Sequence, residues 1–488
     1  MPIRLLAVLA MLFSSSLFAA PAFAGDPVFT TKACPADWVL GVRDTVCGTL
    51  NVDEARDGSI SGRRIDIAVV ILKASHPYSD ASGQALPPVV MFHGGPGGAS
   101  VSGVGRTLRA LQRTPELLAV DQDVIFFDQR GGGQNSPSMD CPDAQLTDAG
   151  PPSDVDRNML IACLNGYAAQ GVDLNQYNSR ATAADVADLA KALNLSKIDL
   201  RGGSYGPRVE AAVITHQPQI VRAVIMDSPW PPEGNWAVGT PEQVSAAVRL
   251  ILSKCAAQTD CAARYGDLQA RFESAARLWM AGPQIGRDGM SFNVDDLAAF
   301  LMDTTYDRMG VRRLPSDLEK IIAGDLSPVA EIARNRTNYF EGQHMAHLCK
   351  EELPFESRDR LVAGAASDPV AQVLVPSLSR LFSICAATEI TGADPIENAP
   401  VVTDIPTLFV AAEIDPGCPP ALTEAAAKGY SNSQVVIVTN ATHGVINASR
   451  CTLTMARDFL RDPFRLVDRS CLPAVGTPLE FIEVAPAQ

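Results

Sequence analysis

The chain has 488 residues, 47% of them hydrophobic and 19% charged, with a formal net charge of −15. That describes a soluble globular protein with a sizeable core, either one large domain with an insertion or two to three domains. The acidity argues against nucleic acid and anionic membrane surfaces as partners, since both are bound by clustered Lys and Arg.

Residues 1–24 read as a signal peptide, with Arg4, an apolar run and then Ala22-Phe23-Ala24 as an A-x-A-like cleavage site. The mature protein is therefore expected to start near Gly25 and to be secreted or periplasmic. No later segment offers the ~18 uninterrupted apolar residues of a membrane span, so stable membrane insertion is not expected. Eleven cysteines suit an oxidising compartment. Pairing nearest neighbours gives Cys34–Cys47, Cys141–Cys163, Cys255–Cys261, Cys349–Cys385 and Cys451–Cys471, leaving Cys418 alone. The competing zinc reading of "HMAHLC" (His344, His347, Cys349) lacks a second ligand cluster, and no metal or cofactor is expected.

Along the chain, "RRIDIAVVIL", "PPVVMF", "DVIFF", "KIDL", "VRAVIMD", "PTLFVAA" and "QVVIV" are short, β-branched-rich and apolar, which predicts strands. Between them "ATAADVADLAKALNL" and "PRVEAAVITHQP" carry the 3.6-residue period of helices packed on a sheet. Alternating strands and helices predict an α/β fold whose mostly parallel sheet is covered on both faces. From about 231 to 395 the pattern is mostly helix and loop. We expect a first core segment at 25–230, a helical cap at 231–395 inserted after the sixth strand, and a second core segment at 396–488.

The stretch "DLRGGSYGPRV" sets Ser204 between Gly202 and Gly206, after the strand "KIDL" and before a helix beginning near Pro207. A strand turning straight into a helix strains its turn residue, and small neighbours relieve the crowding. Such a turn lifts the hydroxyl above the sheet, so Ser204 is the candidate nucleophile.

A serine hydroxyl needs an adjacent base. Of six histidines, His443 alone follows a late strand, in "TNATHGV" at the same sheet edge. Asp415, past the end of "PTLFVAA", is the candidate orienting acid. Asp227 is the reserve, with a loop-capping role more to be expected, and Glu413 is a weaker one. Oxyanion donors are expected from the backbone N–H of Tyr205 and from Gly94 or Gly95 in "VVMFHGGPGG". His93 is expected to position that loop.

Together "HGGPG", "DQRGGGQNS" and "GGSYG" resemble the prolyl iminopeptidase and tripeptidyl aminopeptidase family of α/β-hydrolase serine peptidases. The cysteine-rich layout, with "CGTLNV" and "PTLFVAAEIDPGCPP", looks like the tripeptidyl aminopeptidase branch. The resemblance implies an α/β-hydrolase fold, Ser204, Asp415 and His443 as a triad, and release of residues from the N-termini of small peptides. Asn135 stands where that family has serine, and Cys418 where it has threonine. An aminopeptidase must hold a free α-ammonium with carboxylates. Glu351 and Glu352 in "CKEELPF", with Glu233 in "WPPEGNW" third, are the expected candidates. A carboxylesterase with the same triad is the alternative activity; a non-catalytic binding protein would have no use for the triad. Oligomeric state is not legible in the sequence.

Overall fold

Seven strands, β1 (Val28–Lys32), β2 (Thr45–Asp53), β3 (Arg64–Leu72), β4 (Val89–Phe92), β5 (Val124–Phe127), β6 (Ile198–Gly203) and β7 (Val221–Asp227), precede a long helical stretch. Within that stretch β8 (Gln284–Ile285) and β9 (Ser291–Phe292) form a separate two-stranded sheet. β10 (Thr407–Ala412) and β11 (Ser433–Val438) follow it. These assignments come from a computed structural model, which describes residues 25–38, 41–59, 62–80, 82–114, 118, 121–333 and 339–482. The signal-peptide reading of residues 1–24 lies outside them.

The main sheet has nine strands in the order β1-β2-β3-β5-β4-β6-β7-β10-β11. The first three and β5 pair antiparallel, and from β5 to β11 every pairing is parallel. Parallel strands sandwiched between helices lose both faces to the core. Accordingly all six residues of β10 are buried. Two apolar clusters fill the two faces: Val90, Leu200, Val224 and Phe409 contribute to one, and Val70, Ile225, Leu408 and Val410 to the other.

The helical stretch leaves the sheet after the seventh strand, one later than expected. The difference lies at the N-terminus, where two strands absent from the sequence reading, β2 on β3 and the edge strand Val28–Lys32 on β2, extend the sheet antiparallel. The edge strand "VFTTK" has no buried residue, so it carries no hydrophobic signal. It is held by its ladder to β2, and Cys34–Cys47 lies just beyond.

The five cysteine pairs form as the spacing predicts, and Cys418 is a free, buried thiol. Cys349 is thus committed to Cys385, while Nδ1–H of His344 donates to the Pro96 carbonyl at 2.7 Å and that of His347 to the Gln343 carbonyl at 2.9 Å. "HMAHLC" is a structural helix segment.

"DQRGGGQNS" ties the sheet end together. The buried Arg130 guanidinium forks onto both Asp185 oxygens at 2.8 Å and donates to the carbonyls of Glu54 and Gln176 at 2.7 Å. Asn135 accepts from the Ala68 N–H at 2.8 Å and donates to the carbonyls of Asp128 and Gln129, a three-way link that a serine hydroxyl could not complete alone. Among the described residues no helix is long and apolar enough to cross a membrane. The topology is that of an α/β-hydrolase.

Candidate active site

Ser204 sits between the end of β6 and the helix Gly206–His216, with φ at +62°. A non-glycine residue in that region is strained and needs surroundings that enforce it. Those surroundings are two backbone bonds and three glycines. The Ser204 N–H donates to the Asp227 carbonyl at 2.9 Å, and its carbonyl accepts from the Trp230 N–H at 3.0 Å. A methyl group at Gly202 would stand 2.8 Å from the Gly206 carbonyl carbon, and one at Gly206 would stand 3.0 Å from the Phe92 carbonyl oxygen. At Gly94 it would reach 2.7 Å from Ser204 Cβ. The loop after β4 therefore runs directly over the hydroxyl.

That loop is clamped by the helical stretch. The Phe340 N–H donates to the Gly97 carbonyl at 2.9 Å, and His344, on the helix Glu341–Glu351, reaches the neighbouring Pro96 carbonyl. Burial pushes the His344 imidazole down to about 4, so it stays neutral and keeps this bond at neutral pH. His93 contributes from within the loop: its carbonyl accepts from Gln129 at 2.8 Å.

His443 and Asp415 lie in the loops after β11 and β10. Nδ1–H of His443 donates to Oδ2 of the buried Asp415 at 2.8 Å. The other oxygen, Oδ1, accepts from the N–H groups of Gly417 and Cys418 at 3.1 and 2.8 Å. The carboxylate is fixed from two sides, and Nε2 of His443 is left for other work. Burial opposes protonation of the ring, but the Asp415 charge and hydrogen bond outweigh it and raise its pKa. The Tyr306 ring packs edge-on against His443 at 4.7 Å between centroids.

Asp227 does something different. Its two oxygens accept from the N–H groups of Val445 and Ile446 at 2.7 and 2.9 Å, capping the loop that carries His443. Glu413 holds Lys254 at 3.0 Å and the Asn440 N–H at 2.8 Å.

Ser204, His443, Cys418 and Gly95 line one cavity of about 580 Å³, walled also by Trp230, Trp236, Tyr306 and Tyr339. A second hollow of about 780 Å³ shares Asp148, Asp303, Ile332 and Tyr339 with it. The two form one long cleft.

The structure does not bring Glu351, Glu352 or Glu233 to this cleft. Glu351 accepts from the Ser179 N–H at 2.9 Å and from the Tyr205 hydroxyl. Glu352 pairs with Arg208 at 2.8 Å and accepts from the Trp236 N–H at 2.8 Å. Arg208, on the helix Gly206–His216, and Glu351 and Glu352 are all at most 2% exposed and form one buried network. Glu233 borders a separate small hollow with Pro207, Ala211 and Tyr430.

Carboxylates that do line the cleft were not singled out by the sequence. Asp148 accepts from the Tyr339 hydroxyl at 2.9 Å. Asp303 projects from the helix Val294–Tyr306, with Asp307 at that helix's end and Glu331 nearby. Burial, together with the charges of Asp148 and Asp307, pushes Asp303 up to about 6. Like charges crowded in a cleft wall favour a cation between them.

Family models match two parts of the chain: "alpha/beta hydrolase fold" over residues 87–280 and "TAP-like protein" over residues 371–471. The chain is 30% identical over 159 residues to the serine protease Hip1 of Mycobacterium tuberculosis, covering 30% of each protein. It is 29% identical over 210 residues to the tripeptidyl aminopeptidase of Streptomyces lividans, covering 40% of this chain and 37% of that one. With the proline iminopeptidase of Heyndrickxia coagulans it shares 29% over 142 residues, 29% of this chain and 35% of that one. The matches thus span 30% to 37% of these relatives' own lengths. The chain has the α/β-hydrolase fold and resembles the prolyl iminopeptidase and tripeptidyl aminopeptidase family.

Proposed function

We propose that this α/β-hydrolase is an exported serine aminopeptidase that releases proline or short peptides from free peptide N-termini. In this reading Ser204 Oγ attacks the scissile carbonyl and His443 Nε2 takes its proton. Asp415 holds the ring in the tautomer that leaves Nε2 free and stabilises the imidazolium that forms. Ser204 and His443 line the same cavity, and substrate binding brings Oγ and Nε2 into hydrogen-bond reach, as commonly happens at such sites. Backbone N–H groups of Tyr205 and of Gly94 or Gly95 receive the oxyanion. His443 then protonates the leaving amine, and water, activated by the same base, releases the acyl group.

The observation that carries the peptidase reading over the esterase one is the pair Asp148 and Asp303 in the wall of the nucleophile's own cleft. An ester's acyl chain would be met better by an apolar wall. A substrate α-ammonium would relieve the repulsion between these carboxylates and satisfy both. We assign amine recognition to them in place of Glu351, Glu352 and Glu233, and the segment 231–395, which carries Asp303, to the cap that limits how much chain enters. Five disulfides support an oxidising compartment.

Free-amine aminoacyl and tripeptidyl anilides, their N-acetylated forms, and short and long acyl esters test this directly. Preference for free-amine anilides is expected. Equal rates with and without acetylation, or much faster turnover of simple esters, would give the protein to the carboxylesterase reading.

A further inference from the structure

Beside the proposed triad lies chemistry that the hydrolytic reaction does not use. Cys418 is the one cysteine of the chain's eleven outside a disulfide. It lines the cavity with Ser204 and His443, and its thiol lies against the Ser204 side chain. Asp415, Cys418 and His443 each bring a ligand atom within 4.8 Å of the other two. The Asp415 carboxylate is already engaged by His443 and by two backbone N–H groups. Ser204, Cys418 and His443 line the cavity, so the donors left to an ion there are a sulfur, the second imidazole nitrogen and a hydroxyl oxygen.

We propose that Cys418 Sγ and His443 Nε2, with Ser204 Oγ as a weaker third ligand, bind a thiophilic divalent cation such as Zn²⁺ or Cd²⁺ and so reversibly close the active site. Sulfur and imidazole donors select such ions over Mg²⁺ or Ca²⁺, which prefer all-oxygen sites. Asp415 is then an outer partner. Accepting Nδ1–H, it turns the Nε2 lone pair toward the ion, the carboxylate–histidine–metal arrangement found in natural sites. On binding, the Cys418 thiol gives its proton to the buffer and the sulfur forms the bond to the metal; nothing is oxidised. Water and Ser204 complete a tetrahedral shell. The bound ion occupies the Nε2 lone pair that would take the Ser204 proton, so hydrolysis stops until a chelator removes it.

The proposal rests on the triad reading only for its effect on activity, and the experiment separates the two. Full-length, disulfide-intact protein is freed of metal with EDTA and titrated with Cd²⁺, following the ultraviolet thiolate-to-cadmium charge-transfer band and thermal stability. One band per protein is expected in the wild type and in Ser204→Ala, with a raised Tm in both. The band should vanish in Cys418→Ser and Cys418→Thr. Asp415→Asn should weaken binding by about 10- to 100-fold, the usual effect of removing an outer partner. In parallel, Zn²⁺ inhibition is measured for each active variant against its own metal-free rate, and Cys418→Ser should need at least about tenfold more Zn²⁺ than wild type for half-inhibition. Cd²⁺ binding that persists unchanged in both Cys418 variants, or that is indifferent to His443→Ala, overturns the site. Binding with every expected dependence in a protein that cleaves none of the substrates leaves the metal site standing and removes the catalytic reading alone.

Discussion

Asp415 and His443 come from the ends of two adjacent parallel strands and meet through a single 2.8 Å hydrogen bond, Nδ1–H to Oδ2. The bond decides which ring nitrogen is free. It also raises the imidazole pKa, against burial that works the other way.

A pH profile reads this relationship. General base catalysis needs neutral His443, so kcat/KM should fall on the acid side with an apparent pKa above about 6.5, the ordinary value for histidine. Asp415→Asn removes the charge that favours the imidazolium. The acid limb should therefore move to lower pH, while the plateau drops by roughly 10⁴-fold. Asp227→Asn should lower Tm, because it disturbs the cap on Val445 and Ile446, and should move the limb less than Asp415→Asn does, because its charge acts on His443 more weakly and without a hydrogen bond. A limb that follows Asp227 instead of Asp415 would exchange their roles.

Gly94→Ala tests the loop over the nucleophile. The added methyl would stand 2.7 Å from Ser204 Cβ and 3.0 Å from the Gly203 carbonyl, with backbone or near-backbone atoms on both sides. The loop must shift, and the proposed oxyanion donor with it. Losing one such donor costs about 10²- to 10³-fold in kcat, and that is the expected loss here, with Tm lowered as well because the crowded atoms are backbone and Cβ. Gly103→Ala, where nothing lies within 4 Å of the added carbon, is the control and should keep the wild-type rate.

Ser204 was legible because Gly202 and Gly206 stand two residues either side of it, and Gly94 because it sits in its own glycine-rich stretch, although only the fold brings that stretch against Ser204 Cβ. Asp415 and His443 were legible because a parallel sheet puts its strand ends at one edge, so chain order alone placed them. Asp148 and Asp303 were not legible. One is in a loop stapled by Tyr339 and the other on an inserted helix, and only their tertiary approach gives them meaning. Glu351 and Glu352 misled for the converse reason. Their place beside Cys349 says nothing about which way the end of a helix faces, and it faces inward to Arg208. Of the two N-terminal strands that escaped, β1 is an edge strand with no buried residue and so has no pattern to read.

The Arg208 network should behave as structure. Arg208→Met leaves Glu351 and Glu352 buried without their cation, and breaking a buried pair in this way costs about 3–5 kcal/mol. Chemical denaturation should show a loss of that size. A loss under about 1 kcal/mol, the range of an exposed pair, would mean that these carboxylates have another partner.

Amine recognition is the decisive prediction. A hydrogen bond to a charged group contributes about 1.5–3 kcal/mol, so N-acetylating the substrate should lower kcat/KM by roughly 10- to 100-fold. Asp303→Asn should impose a similar loss on free-amine anilides and barely touch acetylated ones, whose partner charge is already gone. Glu351→Gln and Glu352→Gln should change the ratio between the two substrates in neither direction, since both side chains are turned away from the cleft. The acid range adds a second signature. Burial and the charges of Asp148 and Asp307 hold Asp303 at about 6, so it takes up a proton as pH falls through that value and loses its pull on the ammonium. KM for free-amine anilides should therefore rise below pH about 6 in the wild type, with no matching rise for the acetylated series or for Asp303→Asn. If the two series keep a constant ratio across pH and across Asp303→Asn, the amine lies elsewhere and the cleft carboxylates have another purpose.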